Sequence, residues 1–197
     1  MECVVFDIGG VLINQDLASL ARDLSVRTGQ HADRLLSLFG KDVVRDVETG
    51  RVSSESYFSR TIAPQLPGLS YEDWIGAWMD NYSLNQPAWD LLEEARGRGY
   101  TVGILSNLSE FNKLAIDRKF PHFFLRAHRT FLSYELGLHK PDAEIYLAVS
   151  RELGIAPAAC LFLDDVEENV VGAQAAGMAS MRFDNSRIEE IRGALGW

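Results

Sequence analysis

The chain has 197 residues, 47% of them hydrophobic and 24% charged, with a formal net charge of −9: the make-up of an ordinary globular protein, with room for one core domain and a smaller insertion. An acidic pI of about 4.9, with no Lys/Arg cluster and no basic run interleaved with aromatics, argues against a nucleic-acid partner. No apolar run approaches the roughly 18 residues of a membrane span, and the N-terminus lacks the basic n-region of a secretory signal. A cytoplasmic protein with no membrane association is therefore expected, with Cys3 and Cys160 as free thiols buried in apolar runs.

The first element is the run Val4-Val5-Phe6, which ends at Asp7 and is followed at once by Ile8-Gly9-Gly10-Val11-Leu12. An unbroken apolar run of this kind predicts a strand buried on both faces in a parallel sheet. The glycines predict a sharp turn at its carboxyl end. Leu17, Leu20, Ala21 and Leu24 form a helical stripe that stops near Gly29. A second helix is expected over Leu35–Phe39, closed by Gly40, and a third over about 53–62, broken by Pro64 and Pro67. Ser70 is the expected N-cap of a helix carrying Trp74 and Trp78 one turn apart. No convincing strand falls between residues 14 and 84. The stretch reads as an all-helical insertion, with Asn14 at its hinge.

The α/β pattern resumes at Asn85. A helix with the stripe Ala88, Leu91, Leu92 and Ala95 leads to a strand, Tyr100–Leu105, with Ser106-Asn107 at its end. A helix over about 110–119 and a weaker strand signal over 123–131 follow. Pro141-Asp142 opens a helix capped by Gly154, Cys160–Leu163 is a strand ending in Asp164-Asp165, and a helix and a last strand, 178–183, complete the order. Such alternation predicts a parallel, Rossmann-like sheet with helices on both faces, a three-layer α/β/α core. The expected division is a core of 1–13 and 85–197 and a helical cap of 14–84.

Asp7, Ser106-Asn107, Lys140-Pro141 and Asp164-Asp165 all stand just beyond a strand or in the loop before a helix, where the loops of a parallel sheet converge. Their chemistry is complementary. An Asp can attack phosphorus or carbon and form a covalent intermediate. Ser106 and the N–H groups around it can hold phosphoryl oxygens, and Lys140 can neutralise charge there. Two adjacent acids facing a third call for a cation between them, and Mg²⁺ suits a site of few carboxylates and substrate oxygens.

These segments, with Gly137-Leu138-His139 before Lys140 and Val166-Glu167-Glu168-Asn169 after Asp165, resemble the haloacid dehalogenase-like (HAD) hydrolase superfamily over nearly the whole chain, in its phosphatase/dehalogenase-type branch with a small helical cap. The resemblance implies that Asp7 is the nucleophile and a Mg²⁺ ligand and that Ser106 with Asn107 binds the phosphoryl group. Lys140 stabilises the nucleophile and the charge of the intermediate. Asp165 is the main acidic metal ligand with Asp164 in support, and Asn169 stands behind them. There is one departure. The family's phosphatases carry a second Asp two residues after the nucleophile, as general acid and base; here that position is Gly9, whose carbonyl remains available to the metal.

The implied activity is a Mg²⁺-dependent phosphatase of a small phosphorylated metabolite, acting as a monomer or homodimer. The alternatives are a 2-haloacid dehalogenase using the same Asp7, and a binding protein whose catalysis faded with the second Asp. Trp74, Trp78, Tyr82 and Trp89 are expected to be core rather than pocket. Asp46, Glu48 and Arg51 around Gly50 are expected in a solvated loop, and His139 is expected to be a bystander.

Overall fold

The computed structural model describes residues 1–39 and 41–197 and, within these, the side chains of all but 41–43. The opening apolar run is strand β1 (Cys3–Phe6), buried at every position, which is why its sequence shows no alternation. After a turn comes the two-residue strand β2 (Ile13–Asn14), and then helices: α1 (Leu17–Thr28), α2 (Ala32–Leu36), α3 (Lys41–Glu48), α4 (Ser54–Tyr57), which runs on into a π-helical turn at Phe58–Ile62, and α5 (Tyr71–Asn81). Strand β3 (Ser83–Leu84) pairs antiparallel with β2, Ile13 opposite Leu84 and Asn14 opposite Ser83, so the helical insertion leaves and rejoins the core side by side.

The remainder alternates: α6 (Gln86–Gly97), β4 (Thr101–Ser106), α7 (Glu110–Lys119), β5 (Arg129–Leu132), α8 (Ser133–Leu136), α9 (Ala143–Leu153), β6 (Cys160–Asp164), α10 (Glu167–Ala175), β7 (Ala179–Arg182) and α11 (Ile188–Leu195). The main sheet has the order β5-β4-β1-β6-β7 and is parallel throughout. The chain builds outward from β1 to β5 and then returns to β6 on the other side of β1. That reversal opens a crevice at the carboxyl ends of the central strands. The register fixes what meets there: Phe6 lies opposite Ile104 on one side and Leu163 on the other.

The alternation of side chains along β1 divides the core. Val4 and Phe6 belong to one cluster with Leu91 and Leu92 of α6 and Ile191 of α11, and that cluster runs on into the insertion through Tyr57, Ile62 and Trp74. Cys3 and Val5, on the opposite face, pack with Phe162 and with Ile145, Tyr146 and Val149 of α9. Each fully buried Leu or Val among them contributes about 1.5–3 kcal/mol. Both cysteines are free and buried.

The expected elements appear, with differences. The stretch expected to hold no strand carries the short β2–β3 pair at its two ends, the second helix starts earlier, at Ala32, with a 3₁₀ turn at Ser37–Phe39, and α8 and α11 were not expected. The 123–131 segment is a 3₁₀ turn, Phe124–Arg126, followed by β5. The third helix is the short α4 with its π-helical continuation. The expected stop at Gly40 lies outside the described residues. Helix α3 replaces the solvated loop expected around Asp46 and Glu48. Its sequence, rich in Val and Asp, has poor intrinsic helix propensity, and a helix of this length owes its stability to packing rather than to local preference.

Candidate active site

At the carboxyl end of the sheet, buried Asp7 follows β1 and its N–H donates to the Leu163 carbonyl, 2.9 Å away. The ammonium of Lys140 lies between two carboxylates, 2.9 Å from Asp7 Oδ1 and 2.6 Å from Asp164 Oδ2, and its side chain is only 1% exposed, so no bulk water screens either contact. The contact with Asp7 is an ion pair not aligned as a hydrogen bond, and Asp7 Oδ1 is left without a hydrogen-bond partner. Asp164 is different. It accepts from Lys140, from the Val166 N–H at 2.9 Å and, on both oxygens, from Asn169 Nδ2 at 3.0 Å.

Asp165 is half-buried across from Gly10. Gly10 has φ +73°, and a Cβ built there would fall 2.2 Å from Asp165 Oδ2. Glycine is therefore required both by the backbone and by the space the carboxylate occupies. One carboxylate oxygen from each of Asp7, Asp164 and Asp165 lies within 4.8 Å of the other two. Three carboxylates thus face one ammonium. Burial pushes the Asp7 carboxyl up to about 7, with Lys140 pulling against it and Asp164 adding to it. Burial and then Asp164 raise Asp165 as well. Burial disfavours the Lys140 ammonium, yet Asp7 and Asp164 hold it above the ordinary lysine value. The cluster lacks positive charge, and this donor set, all hard oxygen, fits Mg²⁺.

Lys140 reaches this position because its backbone is clamped. Asn107 Oδ1 accepts from the Lys140 N–H at 2.8 Å and Asn107 Nδ2 donates to the Lys140 carbonyl at 3.0 Å. The carboxamide of Asn107, expected beside Ser106 in phosphoryl binding, is thus engaged with Lys140. Ser106, buried at the end of β4, borders with Asn107 and Gly9 a cavity of about 120 Å³. Gly9 has no side chain to offer there. The space a Cβ would take is approached instead by the Gln15 carboxamide, with Nε2 2.9 Å from that position.

The far wall of the cavity comes from the helical insertion: Phe39, Val47, Glu48, Tyr57, Trp78 and Tyr82. Trp74 is fully enclosed among Phe39, Phe58 and Phe111, as a core residue is, and the half-buried Trp89 packs on Phe123 at the margin of the core. Trp78 and Tyr82 are buried too, but they also line the cavity. One expectation is corrected here: Glu48 is not in a solvated loop but at the end of α3, where it meets His139. His139 Nε2 lies 2.9 Å from Glu48 Oε2, and both side chains are largely buried. No spacing in the sequence announced this contact, since the partners are 91 residues apart. The one available signal was position: His139 precedes Lys140, and Glu48 precedes a glycine turn.

Residues 1–177 match the haloacid dehalogenase-like hydrolase family. The chain is 31% identical over 202 residues to Phosphatase MT3486 of Mycobacterium tuberculosis, an alignment covering 94% of this chain and 88% of that protein. It is 25% identical over 202 residues to the sesquiterpene phosphatase astK of Aspergillus oryzae, covering 99% and 97%. Among solved structures, a HAD family enzyme of Bacteroides thetaiotaomicron in complex with magnesium and inorganic phosphate superposes with a TM-score of 0.81 at 25% identity, covering 94% of this chain and 95% of that one. Since the match begins at the first strand and runs past the acidic pair to the end of α10, it takes in every segment that converges on the crevice, and the chain belongs to the haloacid dehalogenase-like hydrolases, as an enzyme of phosphatase type.

Proposed function

We propose that this protein hydrolyses the phosphomonoester of a small metabolite, with Mg²⁺, through an aspartyl-phosphate on Asp7. The observation that carries the reading is the convergence of Asp7, Asp164, Asp165 and Lys140 at the carboxyl end of the sheet, next in the chain to Ile8 and Gly9, which line the same cavity as Ser106. Asp7 and Asp165 are the carboxylates that would hold the ion, together with the Gly9 carbonyl. Asp164, its oxygens already engaged, supports them and fixes Lys140. Bound there, Mg²⁺ would offset the charge of the carboxylates and of the phosphoryl oxygens.

Asp7 supplies the attacking oxygen. Lys140, held against it, favours the ionised carboxylate and offsets charge as the ester bond breaks. Ser106, at the cavity floor, orients the phosphoryl group. Residues 14–84 act as a cap over this crevice, hinged at the β2–β3 pair, where Asn14 Nδ2 donates to the Leu84 carbonyl at 3.4 Å; the cap excludes water and selects the substrate. The protein works as a monomer or homodimer in the cytoplasm, without nucleic acid or membrane; no helix among the described residues is long and apolar enough to span a bilayer. No observation favours the dehalogenase or the faded binding protein over this reading. A panel of phosphomonoesters assayed with Mg²⁺ and with EDTA tests it. Halide release from 2-haloacids in EDTA, with no phosphate released from any ester, would overturn it.

Two further results are expected. Because Asp7 titrates higher in the folded protein than in the unfolded chain, the metal-free fold binds the extra proton. It therefore loses stability as pH rises from about 4, the ordinary aspartate range, through about 7. Mg²⁺ should raise Tm strongly at pH 8 and little at pH 5, as read by differential scanning calorimetry. An equal Tm shift at both values would mean that the ion binds elsewhere. Gly10→Ala should displace the Asp165 carboxylate and weaken Mg²⁺ binding at least tenfold by titration calorimetry, since the new Cβ meets Asp165 Oδ2 and the left-handed backbone costs about 1–2 kcal/mol.

A further inference from the structure

Phosphoryl transfer to Asp7 expels an alkoxide that needs a proton, and Gly9, two residues after the nucleophile and lining the cavity, has no side chain to give one. Among the described residues lining the cavity, three can ionise: Glu48, Tyr57 and Tyr82. The Tyr57 hydroxyl donates to the Leu38 carbonyl at 2.9 Å, and burial pushes it up to about 12. Tyr82 is fully enclosed, accepts from Asn112 Nδ2 at 2.7 Å and is raised further still by burial. Neither phenol exchanges a proton readily near neutrality. Asp7 is the nucleophile, and Lys140 is confined between two carboxylates. Glu48 is left.

Its setting is that of a held group. The backbone carbonyl of Glu48 accepts from Ser133 Oγ, and Gly50, two residues on, packs so closely against the Tyr134 carbonyl that a Cβ there would lie 2.4 Å from it. The Glu48 side chain meets His139 Nε2 at 2.9 Å. The other ring nitrogen, Nδ1, sits among the Lys140 carbonyl, Asn107 Nδ2 at 3.1 Å and Arg45 Nη1 at 3.4 Å. Arg45 in turn pairs with Asp142 at 2.6 Å. The loop that places Lys140 against Asp7 therefore also places His139 against Glu48.

We propose that Glu48 is the general acid and base of this enzyme and that His139 is its positioning residue, an inference that rests on the phosphatase reading above. With a hydrogen on Nδ1 directed at the Lys140 carbonyl, His139 leaves Nε2 and the Glu48 carboxyl to share the transferable proton. In the first step an Asp7 oxygen bonds to phosphorus and the ester P–O bond breaks. Its electron pair stays on the ester oxygen, which takes the proton from Glu48 and departs as the alcohol. In the second step Glu48, now a carboxylate, takes a proton from water as its oxygen bonds to the phosphorus. The bond from phosphorus to Asp7 breaks, which releases phosphate and restores both carboxyl groups. The acid thus comes from the helical insertion, so only the closed arrangement of insertion and core is competent.

The test is the leaving-group dependence of Glu48→Gln. A general acid matters most when the departing oxygen is strongly basic. In kcat/KM, which reports the steps up to loss of the alcohol, the variant should lose little on nitrophenyl phosphate and roughly 10²–10⁴-fold on an alkyl phosphate. On nitrophenyl phosphate it should also show a burst of one nitrophenol per enzyme, because the second step is then slow. Glu48→Asp should restore part of the loss on the alkyl ester, and His139→Asn should give a weaker version of the same dependence. An equal loss across the series, without a burst, would show that Glu48 only latches the insertion to the core and would overturn the proposal. So would a variant that keeps full activity on the alkyl ester. A wild-type enzyme inactive on every ester with Mg²⁺ would overturn the phosphatase reading, and this proposal with it.

Discussion

Asp7→Asn should abolish turnover, with kcat falling by about 10⁴-fold or more, the scale on which removing a nucleophile acts, while the fold survives. The substitution is nearly isosteric at a buried position, so it opens no cavity. It also removes one of the three carboxylates around Lys140, leaving the ammonium with Asp164 at 2.6 Å. The metal-free variant should therefore be at least as stable as the wild type at pH 8, where the unmodified Asp7 would have to be ionised in a buried site. Acid quench of the wild type during turnover, followed by peptide mass analysis, should find phosphate on the peptide that contains Asp7 and none in the variant. A variant that retained a hundredth of the wild-type kcat would rule out Asp7 as the nucleophile. Dead enzyme with an unaltered or raised Tm is the signature of lost chemistry rather than lost structure.

Lys140→Met should damage both. Lys140 is among the largest fully buried side chains of the molecule, and it is the counter-charge for Asp7 and Asp164. Removing one partner of a buried ion pair leaves uncompensated charge in a poorly solvated site and costs about 3–5 kcal/mol. A loss near that size should appear in urea unfolding at pH 7.5, with an unchanged m value. The stability defect should be partly reversed in the double variant Lys140→Met/Asp164→Asn, because the second change removes charge that the first exposed. Activity should not return in the double variant, since Asp7 would still lack its partner. If the double variant were no more stable than the single one, the Lys140–Asp164 contact would not be the main structural task of this lysine.

These two expectations depend on parts of the molecule that the sequence displays openly. The buried strands are continuous apolar runs, Val4–Phe6, Val102–Leu105 and Cys160–Leu163, and each ends at a polar residue that cannot continue the core. A parallel sheet brings those ends to one edge whatever lies between them, so Asp7, Ser106 and Asp164 could be placed at one site before any distance was known. Even the helix caps were legible where their chemistry is local, as with Ser70, whose hydroxyl accepts from the Asp73 N–H while Asp73 reaches back to the Ser70 N–H.

The helical insertion was less legible, for a physical reason. Helix α3 is short and its composition does not favour a helix, so its existence depends on what it packs against. The same is true of α11, where Ile188, Ile191 and Leu195 acquire meaning only against the core and Tyr100, whose hydroxyl donates to the Leu195 carbonyl at 2.8 Å.

What the sequence determined by itself is therefore the sheet, the edge at which chemistry gathers, and the identity of the acids and the lysine found there, because strand periodicity and strand-end polarity are properties of neighbouring residues. What only the tertiary structure decided is how those groups are divided among tasks. Asn107 holds the Lys140 backbone, Asp164 holds its ammonium, and the Gln15 amide approaches the space beside Gly9. Glu48 meets His139 across the junction of insertion and core. The contacts of Asn107, Asp164 and Glu48 are each of about 3 Å, between residues whose separation in the chain carries no pattern, and such contacts exist only once packing has fixed both partners.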